Sequence, residues 1–153
     1  MKKILVPVDL SGATVRVCNA AASLANALGG RLIILHVVPP PPIMISDYYA
    51  FDAGQVVRLT RDGRKHAAHQ MAALGRWFNK RCPHTKVVMH EGPTVPVILR
   101  TARVVGADYI VLGSHGHTAA YDLLIGSTTH GILRKAACPV VIVPIGRLTR
   151  KSR

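Results

Sequence analysis

The residues best suited to chemistry stand between positions 113 and 129. Gly113-Ser114-His115-Gly116 is separated by nine residues from Gly126-Ser127-Thr128-Thr129. The first group follows Ala107-Asp108-Tyr109-Ile110-Val111-Leu112, a short apolar run of the kind that forms a buried strand. The second precedes Ile132 and Leu133 and reads as the opening of a helix. Glycines let backbone approach a ligand, and a helix start presents N–H groups without intrahelical partners and a partial positive charge. Together they suit the oxygens of a phosphate. His115 and His117 lie inside the loop, where they either contact phosphate or ribose or stand in solvent. A polyphosphate beside them would raise their pKa through its opposite charge.

Other chemistries lack their residues. There is no Gly-x4-Gly-Lys-Ser/Thr, so a P-loop is excluded, and no Gly-x-Gly-x-x-Gly follows the first apolar run. Leu10-Ser11-Gly12-Ala13 is only a fragment of a pyrophosphatase-type Ser-Gly-Gly-x-Asp-Ser loop. His66 and His69 are spaced as a helical pair, but no nearby carboxylate or cysteine completes a metal set. Cys18, Cys82 and Cys138 are too scattered for a disulfide framework and read as buried, inert thiols.

The elements that must position the glycines alternate between strand and helix. Lys3–Val8 reads as a strand, and Ser11 or Thr14 as the cap of a helix reaching about Leu28, before Gly29-Gly30. Val15, Cys18, Ala21, Ala22, Ala25 and Leu28 make its apolar face. Arg31–Val38 is a second strand, after which Pro39-Pro40-Pro41-Pro42 begins a long connection through Tyr48 and Tyr49. A helix is expected from about Gly54 to Lys80, with Val56, Val57, Ala67, Met71, Leu74 and Phe78 facing the core. Lys86–His90 is the third strand, Glu91-Gly92-Pro93 a turn, and Thr94 the cap of a helix with Pro96 in its first turn. Asp108–Leu112, a helix over Gly126–Ala136, and the strand Val140–Val143 complete the series. The pattern predicts an α/β fold: a doubly wound, five-stranded, mostly parallel sheet with helices on both faces. Ligands bind such sheets beyond the strand ends, where the winding reverses.

The spacing Gly-x2-Gly-x9-Gly-Ser resembles the motif of the universal stress protein family, in its ATP-binding branch. Lys3-Ile4-Leu5-Val6-Pro7-Val8-Asp9-Leu10-Ser11 resembles that family's first strand and its aspartate, and Cys138-Pro139-Val140-Val141-Ile142-Val143 its closing strand. The resemblance implies a Rossmann-like strand order 3-2-1-4-5, placing the reversal between strands one and four. It further implies that Pro7, Val8 and Val37 frame an adenine, with Asp9 near the ribose. From the residues alone, Asp9 could equally cap the turn that follows it. Leu112, Gly113, Ser114, His115, Gly116 and His117 would form the loop over the phosphates. Backbone N–H groups at Gly126, Ser127 and Thr128, with the Ser127 hydroxyl, would bind them. The implied ligand is ATP or AMP, with Mg accompanying ATP, held as a regulatory nucleotide and hydrolysed slowly. No catalytic residue is expected, because only Asp9 and Asp122 are available to a metal and neither has a companion carboxylate. A weak ATPase and a salt-sensitive binder of nucleic acid or acidic partners are the alternatives.

Composition bounds the setting. The 153 residues suit one domain over 1–146, with a basic tail over 147–153. No apolar run approaches the roughly 18 residues needed to cross a bilayer. Lys2 and Lys3 precede an apolar run that Pro7 and Asp9 cut short of a signal-peptide core, so the expected location is the cytoplasm. The net charge is +13, with twenty Lys and Arg against seven acids. The cations are dispersed, densest over Arg58–Lys65 and in the tail, and no aromatics are interleaved with them. Nucleic acid is therefore not the expected partner. Val140–Val143, between Pro139 and Pro144, would be an exposed apolar edge, which a second copy of the chain would cover in a homodimer.

Overall fold

Each apolar run becomes a strand of one parallel sheet. The computed structural model describes residues 1–40, 53–114 and 125–145. Within them, β1 (Lys3–Val8), β2 (Arg31–Val38), β3 (Lys86–Glu91), β4 (Tyr109–Gly113) and β5 (Val140–Val143) lie in the order β3-β2-β1-β4-β5. All four pairings are parallel. The helices are α1 (Thr14–Ala27), α2 (Ala53–Asn79), α3 (Thr94–Val105) and α4 (Ser127–Leu133). This is the doubly wound order expected above. The Tyr48–Tyr49 connection, the loop histidines, Asp122 and the basic tail lie outside the described residues.

Strand side chains alternate between the two faces of the sheet. Ile4, Val6, Val8, Leu32 and Ile34 pack against Cys18, Ala21 and Ala25 of α1 and Met71 and Phe78 of α2. Leu5, Ile33, Leu35 and Val37 point the other way, onto Val97, Ile98 and Ala102 of α3 and Ile132 of α4. Burial on both faces is why these strands read as unbroken apolar runs. Cys18 and Cys82 are buried, and burial pushes the Cys18 thiol up to about 12; Cys138 is only half-buried.

The helices depart from the sequence reading at their starts and margins. Neither Ser11 nor Thr14 caps α1, whose N-cap is Ala13 without a side-chain bond. Ser11 instead shapes the turn: its carbonyl accepts the Thr14 N–H at 3.0 Å and its hydroxyl the Ala13 N–H at 3.3 Å. Thr14 and Val17 are buried, whereas Val15 is exposed at the edge of the stripe and Leu28 lies past the last helical residue. Along α2, the expected Ala67, Met71 and Phe78 are buried and Leu74 packs against them, but Val57 is exposed. The side chain of Val56 lies outside the described residues. Pro93, not Thr94, is the N-cap of α3. Helix α4 ends at Leu133, short of Ala136, and β3 runs one residue further, to Glu91.

At the other end of the sheet, Asp108 works as a side chain, not as a strand residue. Its carboxylate accepts the Lys3 N–H at 2.8 Å and pairs with Lys2 Nζ at 2.9 Å. The Lys2 hydrogen bond, seconded by the Lys3 N–H, holds this carboxyl below the usual carboxylate range.

The decisive local feature is Pro7. Odd-numbered residues of β1 face β4, since the Asp108 N–H donates to the Lys3 carbonyl at 2.9 Å. Even-numbered residues face β2, since the Arg31 N–H donates to the Lys2 carbonyl at 2.8 Å. By that alternation Pro7 faces β4, and it has no N–H to offer. The β1–β4 ladder pairs Ile4 with Tyr109 and Leu5 with Ile110, below the proline. The β1–β2 ladder, by contrast, continues to Val8, and β4 stays on β5 up to Gly113. The hydrogen-bonded ladder between β1 and β4 therefore stops short of their carboxyl ends, at the point where the winding reverses.

Two glycines give opposite expectations. A Cβ at Gly30 would lie 2.5 Å from the Lys2 carbonyl oxygen, the acceptor that starts the β1–β2 ladder. At Gly63, on the exposed side of α2, nothing lies within 4 Å. Gly30→Ala should destabilise the protein by about 1–3 kcal/mol, as overpacking against backbone does. Gly63→Ala should stabilise it by about 0.5–1 kcal/mol through helix propensity. Urea unfolding of both variants checks the signs.

Candidate functional site

A cavity of about 390 Å³ opens at the carboxyl ends of β1 and β4. That volume falls among small-molecule sites, roughly 300–1,000 Å³. Pro7, Val8 and Asp9 enter it from β1 and the turn after it, Val37 from β2, and Leu112 and Gly113 from β4. Gly126, Ser127 and Thr128 reach it from the start of α4. Residues far apart in the chain thus share one cavity, because parallel strands bring their carboxyl ends together.

Ser114 does not line the cavity. Its N–H donates to the Val143 carbonyl at 2.8 Å, and its hydroxyl accepts the Ile145 N–H at 3.1 Å. Its carbonyl accepts the Gly126 N–H at 3.0 Å. Ser114 therefore joins the ends of β4 and β5 to the approach of α4. His115, Gly116 and His117 lie outside the described residues.

The sequence reading missed several wall residues. Thr14 and Val17 come from α1, and Thr94 and Ile98 from α3 on the opposite face of the sheet. Leu35, His36 and Pro39 flank Val37, and Thr129 follows the predicted Thr128. The neighbours of Val37 and Thr128 carried a signal, being adjacent to assigned positions. Those from α1 and α3 had none, since their arrival depends on helix packing.

Polar groups on the wall are held by backbone. The Asp9 carboxylate accepts the Ser11 N–H at 3.0 Å across Leu10, a non-glycine residue at φ 61°. The turn-capping role weighed above is thus present, and it spans a backbone conformation that costs a branched residue energy. His36 Nδ1 lies 2.9 Å from the Val8 carbonyl. A carbonyl only accepts, so Nδ1 carries a proton. The Thr129 hydroxyl donates to the Gly113 carbonyl at 2.9 Å, tying the first turn of α4 to the end of β4.

At the opening of α4, the N–H groups of Ser127, Thr128 and Thr129 have no intrahelical acceptors, as at any helix start. Gly126 takes φ −59° and ψ 153°, a conformation open to any L-residue. A need for glycine there would arise from the space before it, not from its backbone angles. His66 and His69 are exposed on α2, and no group of three or more metal-ligating side chains occurs among the described residues.

Known proteins place this architecture. The model of the universal stress protein family matches residues 1–144. A universal stress protein of Thermus aquaticus is 31% identical over 142 residues, covering 93% of this chain and 98% of the relative. The chain belongs to the universal stress protein family. The solved UspA of Lactobacillus plantarum superposes with TM-score 0.78 at 26% identity, covering 93% of this chain and 97% of its own. A Methanocaldococcus jannaschii universal stress protein reaches 0.83 at 24% identity, covering 95% and 97%. Two further structures share the fold. One is a universal stress protein in complex with cAMP, with TM-score 0.58 and 23% identity, covering 93% and 95%. The other is that of Archaeoglobus fulgidus in complex with dAMP, at 0.64 and 19%, covering 93% and 97%. No described helix is long and apolar enough to cross a membrane.

The Thr129 tie is testable. Thr129→Val keeps the shape of a buried side chain but leaves the Gly113 carbonyl without its donor. The cost should be about 1–3 kcal/mol, read as a lower urea midpoint.

Proposed function

We propose that this chain binds an adenine nucleotide, ATP or AMP, as a regulatory ligand in a stress response. One observation carries the reading. Pro7, Asp9, Val37, Gly113 and Gly126–Thr128, separated in sequence by up to a hundred positions or more, line a single cavity at the sheet's reversal. Relatives solved with cAMP and dAMP lend support, as proteins of the same fold that hold adenine nucleotides.

The walls support the layout that the family resemblance implies. Adenine lies at the end of β2, between Pro7, Val8 and Val37, and the ribose lies by Asp9. The phosphates lie on the opening of α4, where Ser127 and Thr128 offer N–H groups and Ser127 a hydroxyl. Leu112 and Gly113 form the floor beneath them; His115, Gly116 and His117, next in sequence, are proposed as further contacts to the nucleotide. Ser114 contributes by holding the end of β4 to β5. Each hydrogen bond to a charged oxygen is worth roughly 1.5–3 kcal/mol, so a few suffice for micromolar affinity.

Mg accompanies ATP, and hydrolysis is slow. Phosphoryl transfer needs metal carboxylates and a group that orients the attacking water. Among the described wall residues Asp9 is the sole carboxylate, and it is engaged with the turn after β1. The protein acts in the cytoplasm as a homodimer. Edge strand β5 is apolar throughout, and Val141 is 37% exposed on it, a surface that a second copy covers.

Calorimetric titration tests the nucleotide reading. Gly126→Val should abolish ATP binding in a folded protein, because the valine fits the backbone angles but fills the phosphate space. Ser127→Ala should weaken binding roughly tenfold, by one hydroxyl among several donors. Full-strength binding by a folded Gly126→Val protein, shown by circular dichroism, would place the phosphates elsewhere. Light scattering tests the dimer. Val141→Lys should convert it to a monomer at micromolar concentration, and an unchanged mass would exclude β5 as the interface.

A further inference from the structure

Among the described residues that line the cavity there is no lysine or arginine, although the chain carries twenty of them. Asp9 is the carboxylate on that wall. Long-range attraction of an anion to this cavity therefore has to come from cations beyond the wall.

Helix α2 brings cations to the cavity's edge of the sheet. A Cβ at Gly75 would lie 3.0 Å from Val87, near the start of β3. Arg64 instead pairs at 2.6 Å with Glu91, the last residue of β3. The helix thus runs antiparallel to β3 and reaches the carboxyl edge of the sheet at Arg64. Along its axis Arg61 and Arg58 lie about 4.5 and 9 Å further on. Every residue from Val57 to His66 is exposed, as suits a helix end standing clear of the sheet. The cavity opens at this same edge. Glu91 is registered on Val38, and the Gly92 N–H donates to the Val38 carbonyl at 3.1 Å. Val38 stands between Val37 and Pro39, both on the cavity wall.

Arg58, Arg61, Arg64 and Lys65 crowd this end of α2 against two carboxylates, Asp62 and Glu91. Arg16, exposed in the first turn of α1, stands at the same edge. At physiological salt a charge acts over roughly 8 Å, so cations at the amino edge of the sheet are screened from the opening. We propose that Arg58, Arg61 and Lys65 form an electrostatic guide that draws the anionic nucleotide to the cavity and speeds its capture. Charges at a rim set the association rate and its salt dependence more than the dissociation rate. The inference rests on the nucleotide reading above and adds the source of the ligand's attraction to it.

Surface plasmon resonance of ATP and of uncharged adenosine on the immobilised protein tests the guide. Arg58→Glu, Arg61→Glu and Lys65→Glu together should slow ATP association roughly tenfold at low salt. ATP dissociation and both adenosine rates should stay within about twofold of the wild type. Added salt should slow ATP association to the wild type and speed it to the variant, because it screens attraction in one and repulsion in the other. Arg76→Glu, Lys80→Glu and Lys86→Glu make the same change of charge towards the amino edge and should leave ATP association within about twofold. Should the three glutamates disturb the helix, as circular dichroism would show, glutamine at the same positions should still give a smaller slowing of ATP alone. Wild-type ATP association in the folded variant would overturn the guide. So would equal slowing by the amino-edge variant, equal slowing of adenosine, or a change confined to dissociation. Each of those results leaves nucleotide binding standing, whereas a wild type that binds neither ligand would overturn both readings.

Discussion

The missing N–H of Pro7 limits the ladder between β1 and β4, the seam above which the cavity lies. A proline inside a central strand normally forfeits a ladder bond and is found at edges or bulges. Here the forfeited bond is the one that would have kept β1 on β4. With Val8 still registered on β2 and Gly113 still on β5, the two halves of the sheet stay intact while the ladder between them ends early. The cavity lies above that shortened ladder, at the place in the order where chain winding reverses.

Backbone, more than side-chain charge, furnishes that cavity. Of the carboxylates in the described residues, Asp9 is at its wall, and the others serve elsewhere: Asp108 with Lys2, Asp62 with Arg61, and Glu91 with Arg64. Beside Asp9 and His36, the described residues that face the cavity are glycine, threonine, serine and apolar side chains. The described wall suits the binding role proposed above through its shape and N–H groups. Membership of the universal stress protein family and the proposed binding role are physically consistent.

Rigidity around the opening comes from short cross-links. Ser114 holds β4 to β5 and to the approach of α4, and Thr129 holds the first turn of α4 to the end of β4. His36 bonds the Val8 carbonyl, and Asp9 bonds Ser11 across the left-handed Leu10. Each link crosses a junction where regular hydrogen bonding has ended, so the wall keeps its form without a covering strand.

The five strands, the two-sided core and the glycine spacing were legible in the sequence, because each is a local consequence of residue type. Strands buried on both faces must be unbroken apolar runs, and Gly113 and Gly126 stand out beside them. Helix margins were less legible: Val15 and Val57 are apolar but face solvent, since hydrophobic spacing does not say where a helix meets its sheet. Thr14, Thr94 and Ile98 could not be assigned to the cavity, because α1 and α3 pack on opposite faces and meet it only after the sheet is assembled. Pro7 was visible as a proline, but its effect was not. Whether its missing N–H faces β2 or β4 depends on strand register, a relation between segments a hundred residues apart that only the tertiary structure decides.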